Sequence, residues 1–166
     1  MRLAVGDVVV YAAYGLGRVV AREKRGTLAA KQEFIVLEFD DGLRVSLPIG
    51  RALEQLRPLA SEPELMRVQE MLREVHAVSD EPWLARQRGA QAKLTAGDPV
   101  GLAEIVRDGA ARQRSLLERG TKPQLSPGER DLFVRARQLL STEIAHVRGL
   151  PACEADDWID QQLART

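Results

Sequence analysis

Cysteine is nearly absent from this chain: Cys153 stands alone among 166 residues, which excludes an internal disulfide and fits a cytoplasmic protein. Histidine is almost as scarce, with only His76 and His146, so no group at metal-ligand spacing exists and neither zinc nor another cofactor is expected. No apolar run is long enough to span a bilayer, and Met1-Arg2-Leu3-Ala4-Val5-Gly6-Asp7 turns polar before a signal peptide's apolar stretch can form. Net charge is missing as well, because 24 Lys and Arg offset 24 Asp and Glu. Affinity for nucleic acid grows with the number of phosphates neutralised, so tight binding by electrostatics alone is excluded and any such role must be local or assisted.

Charge is nevertheless uneven. Glu62, Glu64, Glu70, Glu74, Asp80 and Glu81 form an acidic stretch, Arg86, Arg88, Lys93, Arg107, Arg112 and Arg114 a basic one, and Glu154, Asp156, Asp157 and Asp160 an acidic end. Such runs are either solvated helix faces or a local phosphate-binding surface.

Two halves with different periods divide the chain into 1–60 and 61–166. In the first, Val8-Val9-Val10-Tyr11, Arg18-Val19-Val20-Ala21-Arg22, Phe34-Ile35-Val36-Leu37-Glu38-Phe39 and Leu43-Arg44-Val45-Ser46-Leu47-Pro48 read as strands, with a short last strand between Leu53 and Leu59. Tyr14-Gly15-Leu16-Gly17 reads as a turn between the first two, and Asp40-Asp41-Gly42 as a tight hairpin turn. Alternation in the fourth run places Leu43, Val45 and Leu47 on one face and Arg44 and Ser46 on the other. These features predict a small antiparallel Tudor- or SH3-like β domain.

After Pro58 the period becomes helical. Ser61-Glu62-Pro63-Glu64 and Ser126-Pro127-Gly128-Glu129 both have the capping-box arrangement, and Asp98-Pro99 is a third start, preceded by Gly97 as a helix end. Five helices are predicted over 63–76, 82–95, 99–118, 127–148 and 153–164. Their apolar faces carry Leu65, Val68, Met71 and Leu72, then Leu102, Ile105, Val106 and Leu116, then Leu132, Ala136, Leu139, Leu140 and Val147. Trp158, beside Ile159 and Leu163, is predicted to close that core. The fold class is α+β: a small antiparallel sheet domain followed by a five-helix bundle.

Catalytic patterns are missing. Gly15-Leu16-Gly17 lacks the third glycine and the strand-to-helix setting of a nucleotide-binding turn. His76 at a helix end and His146 late in another helix have capping or surface explanations. An enzyme is not expected, nor a small-molecule substrate. The segment Asp80-Glu81-Pro82-Trp83-Leu84-Ala85-Arg86-Gln87-Arg88 is open to two readings. Trp83 is a core anchor, as most tryptophans are, or it projects from the first turn of a helix as an apolar wedge beside Arg86 and Arg88.

Val5-Gly6-Asp7-Val8-Val9-Val10-Tyr11, Tyr14-Gly15-Leu16-Gly17-Arg18-Val19, Glu33-Phe34-Ile35-Val36-Leu37 and Val45-Ser46-Leu47-Pro48 together resemble the RNA-polymerase-interacting domain of the bacterial CarD/CdnL transcription regulators. Trp83 with Arg86 and Arg88, Leu94-Thr95-Ala96-Gly97-Asp98-Pro99, Ala103-Glu104-Ile105-Val106-Arg107-Asp108, Glu118-Arg119-Gly120 and Leu125-Ser126-Pro127-Gly128-Glu129-Arg130 through Leu140 resemble the family's helical domain in the same order. The likeness spans nearly the whole chain. It lacks the long basic tail of the larger CarD proteins and so resembles the shorter CdnL type, with Ala12 standing where the family often has proline.

The resemblance implies a cytoplasmic, non-catalytic initiation factor, nucleoid-associated through RNA polymerase. Its first domain would dock on the polymerase β subunit through Arg25 and Arg44, the latter in place of an arginine that relatives carry at Ser46. Its second would contact promoter DNA near the −10 element. Trp83 would wedge into the minor groove at the upstream edge of the melted region and stabilise the open complex, with Arg86, Arg88 and Lys93 on the backbone. The main rival is a polymerase-binding adaptor whose helical half binds a protein instead of DNA. A third reading, an SH3-like RNA-binding module, fits the neutral charge poorly and lacks the exposed aromatics on which bases stack.

Overall fold

The computed structural model describes residues 1–75, 78–120 and 125–165. The chain forms two compact units, Met1–Leu59 and Ala60–Thr166.

In the first unit, β1 (Val8–Tyr11), β2 (Gly15–Thr27), β3 (Ala30–Phe39), β4 (Arg44–Pro48) and β5 (Leu56–Arg57) form one antiparallel sheet in the order β4-β3-β2-β1-β5. Successive side chains of a strand point to opposite faces, so one face collects Val19, Ile35, Leu37 and Leu47 over a core completed by Leu3, Val9, Phe39 and Leu56. A bulge between Val19 and Ala21 shifts the pairing of β2 with β3 and sharpens the local twist. The turn after β1 falls at residues 12–14, closed by the Tyr14 amide donating to the Tyr11 carbonyl at 2.9 Å. Gly15 and Gly17, expected in the turn, instead begin β2. Gly17 pairs with Phe39 beneath that residue's ring, and a Cβ there would lie 2.9 Å from Phe39 Cε1; the glycine is there for packing.

A helix, α1 (Ile49–Gln55), occupies part of the segment expected to be strand, and only Leu56 and Arg57 pair with β1. Leu53 therefore lies on a helix, 53% exposed, while Ala52 faces the core. Seven residues are too short for an apolar stripe to repeat, which is why the pattern was illegible. Leu43 also departs from the expected alternation, being exposed in the turn ahead of β4.

The second unit contains α2 (Glu62–Arg73), α3 (Trp83–Ala96), α4 (Pro99–Glu118), α5 (Pro127–Arg148) and α6 (Ala152–Leu163). With α1 the described residues hold six helices, not five. Both capping boxes form: Glu64 Oε2 accepts from the Ser61 amide at 2.7 Å, and Glu129 Oε2 from the Ser126 amide at 3.3 Å. Asp98 Oδ2 accepts from the Gly101 amide at 3.1 Å, and Gly97, with φ 69°, ends α3 in the left-handed conformation. The first of these helices stops at Arg73 with Glu74 extended, short of the expected residue 76; His76 lies outside the described residues.

α4 packs on α2, α3 and α5, and α6 closes against α2 and α5. Leu65, Val68, Leu72, Leu102, Val106, Ala136, Leu140, Ile144 and Ile159 are fully buried between them, and each large side chain so removed from water contributes roughly 1.5–3 kcal/mol. Trp158 is only half-buried: it packs against this core while the Arg148 guanidinium carbon lies 4.7 Å from its ring centroid. Polar and charged groups also tie the helices together. Glu143, buried on α5, accepts from the Ala60 amide at 2.8 Å, and Arg137 bonds Asp156 at 2.7 Å and Asp160 at 2.8 Å across α5 and α6. Burial alone would lower the Arg137 pKa, but the bonds to those two carboxylates raise it above its usual value.

Candidate nucleic-acid interface

The site is built where the N-terminus of α3 meets the N-terminus of α5. Pro82 precedes α3 with φ −54° and ψ 144° and offers no side-chain cap, so Trp83 is the first helical residue and projects from the end of the element. The residue is 47% exposed. The covered part rests on the first turn of α5, where Gly128 leaves room: a Cβ there would come within 3.6 Å of Trp83 Cζ2 and 3.0 Å of the Gln87 amide nitrogen. The indole Nε1 donates to Ser126 Oγ at 3.2 Å. Leu84 follows, 51% exposed, so two apolar side chains stand together in water at the start of α3.

In the same first turn of α5 lies Glu129. Its Oε2 accepts from the backbone and the hydroxyl of Ser126 at 3.3 and 3.1 Å, and its Oε1 from Arg86 at 2.9 Å. Arg112 Nε lies 3.1 Å from the same oxygen, but its N–H is not aimed there, so that pair is coulombic and not a hydrogen bond. Burial by itself would raise the Glu129 pKa. The Arg86 bond, the Arg112 charge and the Ser126 bonds outweigh it and hold the carboxyl below its ordinary 4.5. Arg86 is thus engaged twice, its other terminal nitrogen donating to the Glu81 carbonyl at 2.6 Å.

The rest of the basic stretch divides. Lys93 pairs with Glu104. Arg107, expected as surface charge, is buried with Glu74 at 3.0 Å and Asp108 at 2.9 Å. Arg88 is exposed and takes part in no ion pair among the described residues. α3 itself buries no residue, and a cavity of about 310 Å³ lies along its inner face, lined by Ala85, Gly89, Ala90, Ile105, Leu132 and Phe133 among others. Ala90 and Leu94 pack against the core farther along α3, while polar contacts hold its first turn, which sequence reasoning missed because Glu129 is 43 residues from Arg86.

In the β unit Arg25 meets Ser46, and Arg44 lies on the same sheet face, opposite the core, without bonding to Arg25 among the described residues. Ser46 Oγ accepts from Arg25 at 3.2 Å, and Arg44 lies two residues earlier on the same strand. Arg25 also bonds Glu23 at 2.6 Å and covers the Phe34 ring at 4.9 Å, while Arg44 pairs with Glu38 at 2.6 Å. β4 is an outermost strand of the sheet, so its outer backbone groups have no neighbouring strand within it.

No helix among the described residues is long and apolar enough to cross a membrane. The family model for the CarD-like/TRCF RID domain matches residues 3–60, and that for the CarD C-terminal domain matches residues 67–160. A Bacillus subtilis (strain 168) protein named "Putative transcription factor YdeB" is 25% identical over 150 residues, covering 88% of this chain and 92% of its own length. The match over both units places the chain in the CarD family of transcription regulators.

Proposed function

We propose that this protein binds RNA polymerase through its β unit and stabilises the promoter open complex through its helical unit. The observation that carries the reading is the Trp83 indole, half-exposed and held at the end of a helix in a chain of this family. An apolar ring inserted at a partly unstacked step in the minor groove stabilises an opened junction. Trp83 acts at the upstream edge of the melted −10 region. Arg88 holds phosphate beside it, Lys93 joins once released from Glu104, and Arg86 fixes the start of α3. The β unit, a Tudor-like sheet, docks on the polymerase β subunit by its β4 edge, with Arg25, Arg44 and Ser46 beside that edge. Tethering by this dock raises the effective DNA concentration at the helical unit to the order of millimolar, so a neutral chain needs little intrinsic DNA affinity.

One observation favours the rival adaptor reading: Arg86, Lys93, Arg107 and Arg112 are all paired with carboxylates of the same unit, leaving an apolar Trp83–Leu84 surface that also suits a protein partner. Trp83→Ala separates the two. A base–aromatic contact is worth ~1–3 kcal/mol, so the variant is expected to shorten the open-complex lifetime roughly 5- to 150-fold in a promoter-melting assay with polymerase binding unchanged. An unchanged lifetime would remove the wedge and leave the adaptor.

A further inference from the structure

We propose that Ser126 is the positioning residue for Trp83: its hydroxyl, itself fixed by Glu129, holds the indole against the start of α5 and sets the ring orientation that a partner meets. A serine hydroxyl has one proton and two acceptor sites. The indole N–H can only donate, and Ser126 Oγ accepts it at 3.2 Å. The same oxygen accepts from the Glu129 amide at 3.4 Å, which leaves its single proton for Glu129 Oε2 at 3.1 Å. All three capacities are used, so the hydroxyl has one orientation that satisfies every partner. Glu129 is held from the other side by Arg86, and Arg86 returns to the Glu81 carbonyl, two residues before Trp83. The bonds therefore close a ring, Trp83 to Ser126 to Glu129 to Arg86 to Glu81, around the first turn of α3.

Such a ring has a use at a half-exposed aromatic. An indole free to sample its rotamers must lose that freedom when it inserts, whereas one already held does not. Ser126 thus serves two purposes, as the cap of α5 and as the acceptor for Trp83, and the second is what a capping role alone does not require. The DNA part of this inference rests on the function proposed above; the indole part does not.

The test begins with the free protein carrying Trp158→Phe, so that Trp83 supplies the only indole signal. Glycine caps a helix nearly as well as serine but lacks the oxygen, so Ser126→Gly removes the acceptor while α5 persists. Trp83 indole N–H exchange with water is expected to rise several-fold and the ring's nuclear-relaxation order parameter to fall. Ser126→Thr, which caps, accepts and still donates to Glu129, is expected to restore both. Wild-type exchange and order in Ser126→Gly would overturn the proposal, as would equal loosening in Ser126→Gly and Ser126→Thr. With polymerase and promoter, Ser126→Gly is expected to shorten the open-complex lifetime toward that of Trp83→Ala. A loosened indole with lifetimes unaffected by either Ser126→Gly or Trp83→Ala would keep Ser126 as the positioning residue and remove the DNA wedge.

Discussion

Glu129→Ala removes the hub that fixes Ser126 and Arg86 beside Trp83, and its cost can be worked from the bonds it breaks. The carboxylate is 14% exposed and serves Arg86, Arg112 and two donors of Ser126. Loss of the return half of a capping box costs about 0.5–1 kcal/mol, and loss of a charge-assisted hydrogen bond about 1.5–3 kcal/mol. Arg86 and Arg112 would then face each other uncompensated, but at 20% and 31% exposure both can turn partly to water, which reduces the penalty. The expected destabilisation is about 2–4 kcal/mol, with Glu129→Gln, which keeps an acceptor but not the charge, near half of it. Both tryptophans lie in the helical unit and both tyrosines in the β unit, so selectively excited tryptophan fluorescence during urea or thermal unfolding reports the helical unit alone. For a unit of this size the loss corresponds to a fall in Tm of roughly 10–20 °C. Arg86→Ala in both backgrounds should give a coupling of about 1–2 kcal/mol. Stability within about 0.5 kcal/mol of wild type in Glu129→Ala would refute the hub.

Acid should expose the same group. Because the Glu129 pKa is depressed when folded, its contribution is present above the unfolded value of 4.5 and is lost as pH falls through the lower folded value. The stability difference between wild type and Glu129→Gln is therefore expected to be full near neutral pH and to shrink below 4.5; a pH-independent difference in denaturant titrations would contradict that sign. On the β unit, Arg25→Glu and Arg44→Glu replace side chains that are 49% and 67% exposed. Each should leave the unit's Tm nearly unchanged, since surface pairs contribute ~0–1 kcal/mol, but weaken capture of the polymerase β subunit at least tenfold. Undiminished capture by the double reversal would place the dock elsewhere.

Features encoded by neighbouring residues were legible in the chain. Ser61 with Glu64, Ser126 with Glu129, and Asp98 with Pro99 mark helix starts because cap and proline, and in the first two the return carboxylate as well, fall within one turn. The strand through Phe34 to Phe39 was legible for the same reason, its apolar residues being contiguous. α1 was not, because seven residues after Pro48 bury only Ala52. Nor was the fate of the basic stretch: a run of cations reads as surface until the partners of Arg86, Arg107 and Arg112 are known, and two of those partners, Glu129 on α5 and Glu74 just past α2, lie outside the helices that carry the arginines.

The sequence by itself determined the α+β order of elements, the capping of the helices, the family and the candidate residues, since each depends on local spacing or on the order of motifs along the chain. Only the tertiary structure decided what surrounds Trp83. Whether an indole is buried or displayed, and whether an arginine beside it is free or held, depends on which helix arrives from elsewhere to meet it. Here α5 brings Ser126, Gly128 and Glu129 to the first turn of α3: the ring is half covered and hydrogen-bonded, Arg86 is drawn inward, and Arg88 is left in water.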